Sequence, residues 1–311
     1  MKEQRTLICL WFVLSTFLPL LAQEKQGSML TLDRIFKSRE FSGDRFGPSR
    51  WLDDGSAYTT VEPSESQKGA RDIVKYDTKS GKKEVLVSAA KLIPPDEKNP
   101  LTIENYSWSP DGKLLLLYTH SERVWRQNTR GDYWVIDRSD WSMKKLGGDA
   151  KPSTLMFAKF SPDGKKVAYV REHNLYCENL NDGKITQLTS DGSTTIINGT
   201  FDWVYEEEWD DRDGFRWSPD SKLIAYWQLD ASGVRDFYLI NDTDSLYSFI
   251  ITVQYPKVGT TLSACKVGVV SADGGATTWM DVAGDKRNNY IPRMEWADNS
   301  KEIVFQHMDR A

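Results

Sequence analysis

Tyr106–Tyr118 reads YSWSPDGKLLLLY, and the phrase returns as KFSPDGKKVAYV at Lys159–Val170, RWSPDSKLIAYW at Arg216–Trp227 and EWADNSKEIVF at Glu295–Phe305. A degenerate first copy, RWLDDGSAYTTVE, starts at Arg50. Each copy runs from an aromatic residue through Ser-Pro-Asp-Gly or a relative to lysine and an apolar stretch of about five residues. Serine at the first turn position, proline at the second and glycine at the fourth suit a type I turn, and the apolar stretch that follows is rich in strand formers. The unit therefore begins as strand, tight turn, strand.

A second half completes it. Ile73–Val87, Tyr133–Leu146, Asn174–Leu188 and Val267–Val282 each place a polar turn of Asp, Asn, Gly or Ser between two strand-like runs. Four strands per unit is the composition of a propeller blade. Leu114–Tyr118 and Leu223–Trp227, read as inner strands, are apolar on successive residues. That is the pattern of a strand covered on both faces, as between two neighbouring blades. A β-sandwich predicts no recurring WSPDG phrase. The fold expected is thus all-β, a β-propeller of four-stranded blades.

The repeat aromatics Trp51, Trp108, Phe160, Trp217 and Trp296 are spaced by 57, 52, 57 and 79 residues. Compact blades of this kind need roughly 40–45, so these carry insertions. A chain of 311 residues then holds about four to five blades, an incomplete ring with an open final edge.

Composition narrows the function. With 39% hydrophobic and 27% charged residues and a mean hydropathy of −0.55, the chain is neither a polytopic membrane protein nor a disordered one. Forty Lys and Arg against 45 Asp and Glu leave a net charge of −5, no basic field for nucleic acid. The 12 Trp, 13 Tyr and 12 Phe suit aromatic residues recurring with each unit. Lys2 and Arg5 precede an uncharged run, Thr6–Ala22. The run predicts a signal peptide over 1–22, with an uncleaved membrane anchor as the alternative, and hence an exported protein, periplasmic or extracellular. Cys9 lies in that run; Cys177 and Cys265 are too few and too far apart for a disulfide framework or a metal site, though they leave room for a single bridge. A lead-in segment occupies 23–49 and the partial propeller 50–311. HExxH, CxxC and calcium-loop spacings are absent, so no metal or cofactor is expected.

Function on a propeller resides in insertions and loops. The insertion Asn198–Asp213, NGTFDWVYEEEWDDRD, is read as joining units three and four. It sets Glu206, Glu207 and Glu208 between Tyr205 and Trp209. Adjacent side chains of a strand point to opposite faces, so two neighbouring carboxylates could serve one ligand only from a helical turn. Clustered carboxylates raise one another's pKa, a cost that makes sense where a cation will sit, such as a peptide α-ammonium.

Asp202–Glu208, DWVYEEE, resembles the double-glutamate segment of the dipeptidyl peptidase IV family of serine exopeptidases. Gln254–Gly259, QYPKVG, resembles the same family's Y-P-K-x-G segment, and the likeness extends from Trp51 to the end. The resemblance implies that Glu207 and Glu208 grip the free N-terminal ammonium of a peptide, with Glu206 and Tyr205 in support. Through Val124-Trp125-Arg126-Gln127, it implies that Arg126 orients the glutamates and bonds a substrate carbonyl. It further implies release of X-Pro or X-Ala dipeptides, a C-terminal α/β-hydrolase domain carrying the Ser, Asp and His, and a possible homodimer of the full-length form. No G-x-S-x-G elbow occurs in these residues, and His120, His173 and His307 lie in or beside blade strands. The expectation is a substrate-gating propeller, inactive alone. A non-catalytic exported binding or scaffold propeller is the alternative.

Overall fold

The computed structural model describes residues 29–43, 46–52 and 55–310; the proposed signal segment 1–22 lies outside them. The chain divides into Met1–Arg45 and Phe46–Ala311. In the first unit a π-helical turn, Asp33–Lys37, is followed by Glu40, whose Oε2 accepts from Arg34 Nε at 2.8 Å. Among the described residues no helix is long and apolar enough to cross a membrane.

The second unit is an incomplete β-propeller of antiparallel blades. β1 (Arg50–Trp51), β2 (Ala57–Pro63), β3 (Arg71–Asp77) and β4 (Lys83–Val87) pair in that order as the first blade. The second comprises β5 (Asn105–Trp108), β6 (Leu114–Val124), β7 (Gln127–Asp137) and β8 (Met143–Lys145). The third is β9 (Leu155–Phe160), β10 (Lys166–Arg171), β11 (Asn174–Asn179) and β12 (Ile185–Gln187). In the fourth, β13 (Ile196–Asn198) and β14 (Phe215–Trp217) both pair with β15 (Leu223–Asp230). A separate hairpin of β16 (Asp236–Asn241) and β17 (Phe249–Gln254) precedes β18 (Ala264–Ser271) and β19 (Thr278–Trp279), which complete that blade. β20 (Asn289–Trp296) and β21 (Ile303–Asp309) open a fifth.

The recurring phrase does what its turn chemistry predicts. Gly112 N–H donates to Ser109 O at 2.8 Å, closing the turn, while Ser109 Oγ donates to Asp111 and accepts from Leu114 N. Ser161 and Ser218 repeat the arrangement. The apolar stretches form β6 and β15, which are the second strands of their blades rather than the first, each with a strand on either side. Leu115 and Leu117 enter the core shared with blade one, and Leu116 the core shared with blade three. Likewise Ile224 and Tyr226 face blade three while Ala225, Trp227 and Leu229 face blade five. Period-two geometry thus turns a continuous apolar run into the seal on both sides of a blade.

The repeat aromatic ties blades together. Trp108 Nε1 donates to Thr59 Oγ1 at 3.2 Å, Trp217 Nε1 to Lys159 O at 3.3 Å and Trp296 Nε1 to Arg216 O at 3.0 Å, each reaching the blade before its own. Blade three has Phe160 instead, with no N–H to give. There β7 and β9 pair directly through Arg130↔Met156 and Gly131↔Leu155, fusing blades two and three into one sheet. Cys177 and Cys265 are buried and free, so the single bridge does not form.

Candidate functional site

The glutamate insertion does not join two blades. Asn198 pairs with Gln228 and Phe215 with Tyr226, so β13 and β14 are two pieces of one edge strand with a loop expelled between them. The neck is made of two glycines. Gly199 N–H donates to Trp227 O, Trp227 N–H to Gly214 O and Gly214 N–H to Gly199 O, at 2.9, 3.0 and 3.0 Å. A Cβ on Gly214 would stand 2.7 Å from Gly199 C and 2.8 Å from Thr200 N, a separation no side chain tolerates. Gly199, at φ 74°, occupies the left-handed region open to glycine.

Residues 200–213 leave this neck as a helical turn, α1 (Trp203–Trp209). Asp202 caps it, Oδ1 accepting from Tyr205 N at 3.1 Å, and Oδ2 accepts from Ser263 Oγ at 2.6 Å. Burial pushes the Asp202 carboxyl up. Tyr205 is buried, stacks on Phe201 and accepts from Ile291 N at 3.0 Å, pinning the helix to the next blade. Trp203 meets Tyr255 edge-on at 4.3 Å between ring centroids. The DWVYEEE and QYPKVG segments, far apart in sequence, are therefore in contact.

A helix of this kind turns its successive glutamates through about 100° each. Glu206 faces inward, its side chain 7% exposed, with Arg212 Nε 3.7 Å away. Burial drives its carboxyl up to about 7, with Arg212 opposing and Glu207 adding to the rise. Glu207 is 18% exposed, and its Oε1 accepts from Arg126 Nε at 2.6 Å. Glu208 is exposed. Arg126 reaches Glu207 because β6 and β7 continue past their blade as a hairpin, Val124 pairing with Gln127 and Trp125 taking φ 49° at the tip. The Arg126 side chain is 71% exposed. An ion pair so open contributes at most about 1 kcal/mol to stability. Its bridging of two blades across 81 residues of sequence sets a carboxylate and a guanidinium at one point of the surface.

The structure thus brings Arg126 to Glu207, with Glu208 exposed next to it on α1 and Glu206 and Tyr205 buried. Sequence reasoning missed Asp202, Gly199, Gly214 and Arg212. Asp202 was findable, since an aspartate three residues ahead of a buried aromatic at a helix start is a capping signal. The neck left no local trace.

The dipeptidyl peptidase IV (DPP IV) N-terminal region matches residues 109–311. Dipeptidyl aminopeptidase B of Saccharomyces cerevisiae is 33% identical over 211 residues, spanning 66% of this chain and 25% of the yeast protein. The crystal structure of Porphyromonas gingivalis dipeptidyl peptidase 4 aligns with a TM-score of 0.78 at 28% identity, over 90% of this chain and 39% of that one. The chain spans about a quarter of the length of the yeast relative.

Proposed function

Starting from a chain that belongs to the dipeptidyl peptidase IV family, as its N-terminal region, we propose that it is the substrate-gating propeller of an exported serine-type dipeptidyl peptidase. Glu207 and Glu208 receive the free α-ammonium of a peptide. Arg126 holds Glu207 in place and offers its remaining N–H groups to a backbone carbonyl of the same peptide. Fixing the amine there limits how much chain can precede the bond to be cut, so that X-Pro or X-Ala dipeptides leave. Cleavage itself belongs to an α/β-hydrolase domain of the whole protein, and the leader over 1–22 directs export.

The contact between Arg126 Nε and Glu207 Oε1 carries this reading, because it stabilises the fold little and yet spans two blades. The hairpin of β16 and β17 exposes Tyr238, Ile240, Leu246, Tyr247 and Ile250. Such an apolar surface supports a homodimer of the full-length protein through this arm. Calorimetric titration of the chain with Gly-Pro amide and N-acetyl-Gly-Pro amide tests the amine grip. The free amine should bind and the acetylated form should not, and Glu207→Gln should weaken the former by about 1.5–3 kcal/mol. Equal binding of both peptides would refute the assignment.

A further inference from the structure

Arg126 meets Glu207 only if the hairpin that carries it points the right way, and the direction of that hairpin is set at its root. β6 and β7 pair in step as far as Thr119↔Asp132, and the next partners are Glu122↔Arg130. β6 therefore spends one residue more than β7 over this interval, a bulge at His120–Ser121. The following pair, Arg123↔Asn128, leaves Thr129 as the extra residue of β7. The two bulges cancel in register, so Val124↔Gln127 at the tip is the pairing an unbroken ladder would have reached. What they change is direction, since a bulge bends its strand and increases the local twist.

Beyond the root the hairpin is braced from side to side. Asn128 Nδ2 donates to Ser121 Oγ at 2.8 Å, Arg130 to Glu122 at 2.5 Å, and Arg123 Nε to the Trp125 carbonyl at 2.7 Å. The root itself is held to the propeller at three points. His120 O accepts from Ser153 Oγ at 2.7 Å, Ser121 N donates to Glu104 Oε1 at 3.0 Å, and His120 Nδ1 donates to Asp132 Oδ2 at 3.2 Å. An ionised carboxylate only accepts, so Nδ1 carries the proton of this last contact. Asp132 is buried and fixed in turn by Ser153 N at 2.8 Å and Lys145 Nζ at 2.9 Å. His120 takes φ 48° and Ser153 φ 57°, a left-handed backbone uncommon outside glycine. Such strain persists where the surrounding contacts over-determine it. With its imidazole half exposed, His120 gains little stability from Asp132.

We propose that His120, held by Asp132 and Ser153, is a positioning residue that aims Arg126 at Glu207, a role that rests on the peptide-binding reading of that pair. From Ser121 to Arg126 the strand extends about 17 Å at about 3.3 Å per residue. A swing of about 10° at the root then carries the guanidinium about 3 Å, enough to break its 2.6 Å contact with Glu207.

The test is calorimetric titration of the chain and its variants with Gly-Pro amide, alongside urea denaturation of each. Glycine is at ease at φ 48° and donates nothing to Asp132, whereas asparagine tolerates the same backbone and sets an amide N–H near the place of Nδ1. His120→Gly should therefore keep the unfolding midpoint of the parent and bind about fivefold more weakly, while His120→Asn should bind within about twofold of the parent. In an Arg126→Ala background, itself about tenfold weaker, His120→Gly should cost nothing further, because its effect passes through Arg126. Parent-like binding by His120→Gly, a loss as large in the Arg126→Ala background, or His120→Asn as weak as the glycine variant would overturn the positioning role and leave the amine grip standing. Arg126→Ala binding as tightly as the parent, or N-acetyl-Gly-Pro amide binding as tightly as Gly-Pro amide, would instead remove the reading on which that role rests.

Discussion

Glu206 has the same side chain as its two neighbours and a different fate, because one helical step turns it from solvent into the protein. Its carboxyl titrates near 7 in the folded chain against an ordinary value of 4.5. The folded state therefore holds a proton that the unfolded state has already released between those two values. Stability falls as pH rises through that window, by a sum of about 3 kcal/mol. Glutamine at this position keeps the shape and carries no charge to bury. Glu206→Gln should be near neutral in urea denaturation at pH 4.5 and more stable than the parent by about 2–3 kcal/mol at pH 8. A difference between the two proteins that does not change with pH would show that Glu206 is not the group responsible. Arg126 lies at the other extreme, its side chain 71% exposed, which keeps its attraction to Glu207 small. Replacing Arg126 should leave the unfolding midpoint within about 0.5 kcal/mol and show itself only in peptide binding.

The element that sets these side chains apart is the expelled loop, and two local devices hold it. At the neck, Gly214→Ala would place a methyl group 2.7 Å from the Gly199 carbonyl carbon, where the nearest atoms all belong to the Gly199–Thr200 backbone and no flexible side-chain end can give way. The expected cost is about 1–3 kcal/mol, read from the denaturation midpoint. Loss of Gly-Pro amide binding should accompany it, because α1 is displaced with the neck. At the helix start, Asp202→Ala removes the cap on Tyr205 N, a cost of about 0.5–2 kcal/mol. Asp202→Asn keeps the acceptor and removes a carboxyl that burial penalises, so it should be the more stable of the two substitutions by about 1 kcal/mol. Equal stability of the two would show that the cap contributes nothing. These devices also mark how far the sequence could be read. Ser109-Pro110-Asp111-Gly112 was legible because its hydrogen bonds close within five residues. The helical state of Glu206–Glu208 was legible because neighbouring carboxylates can share a ligand only on a helix. The neck was not, because Gly199 and Gly214 make sense only once they touch each other. Nor did the three consecutive glutamates reveal which one would be buried, since that depends on where Arg212 and the β6–β7 hairpin come to lie.

Across the whole propeller, each blade boundary has an apolar core and a polar link, and the links are not all alike. Indole clips serve three boundaries, direct strand pairing serves the one with Phe160, and turn hydroxyls add to two: Ser221 Oγ accepts from Asp163 N at 2.9 Å and Ser300 Oγ from Asp220 N at 3.0 Å. Ser221 and Ser300 occupy the turn position that is glycine in blades two and three, at φ 64° and 53°. Their strained backbone is offset by a hydroxyl that reaches the preceding blade. The fifth blade breaks the pattern on its other side. Among the described residues β21 pairs with β20 alone, and Val304 on it is 67% exposed. Unpaired edges of this kind template association, and a lysine placed on them opposes it. Val304→Lys removes almost no buried surface, so its unfolding midpoint should stay within about 0.5 kcal/mol of the parent. Sedimentation across a concentration series should nonetheless show less self-association. If the variant associated as readily as the parent, attention would pass to the β16–β17 arm, whose apolar residues are on a different blade and would be untouched by the change.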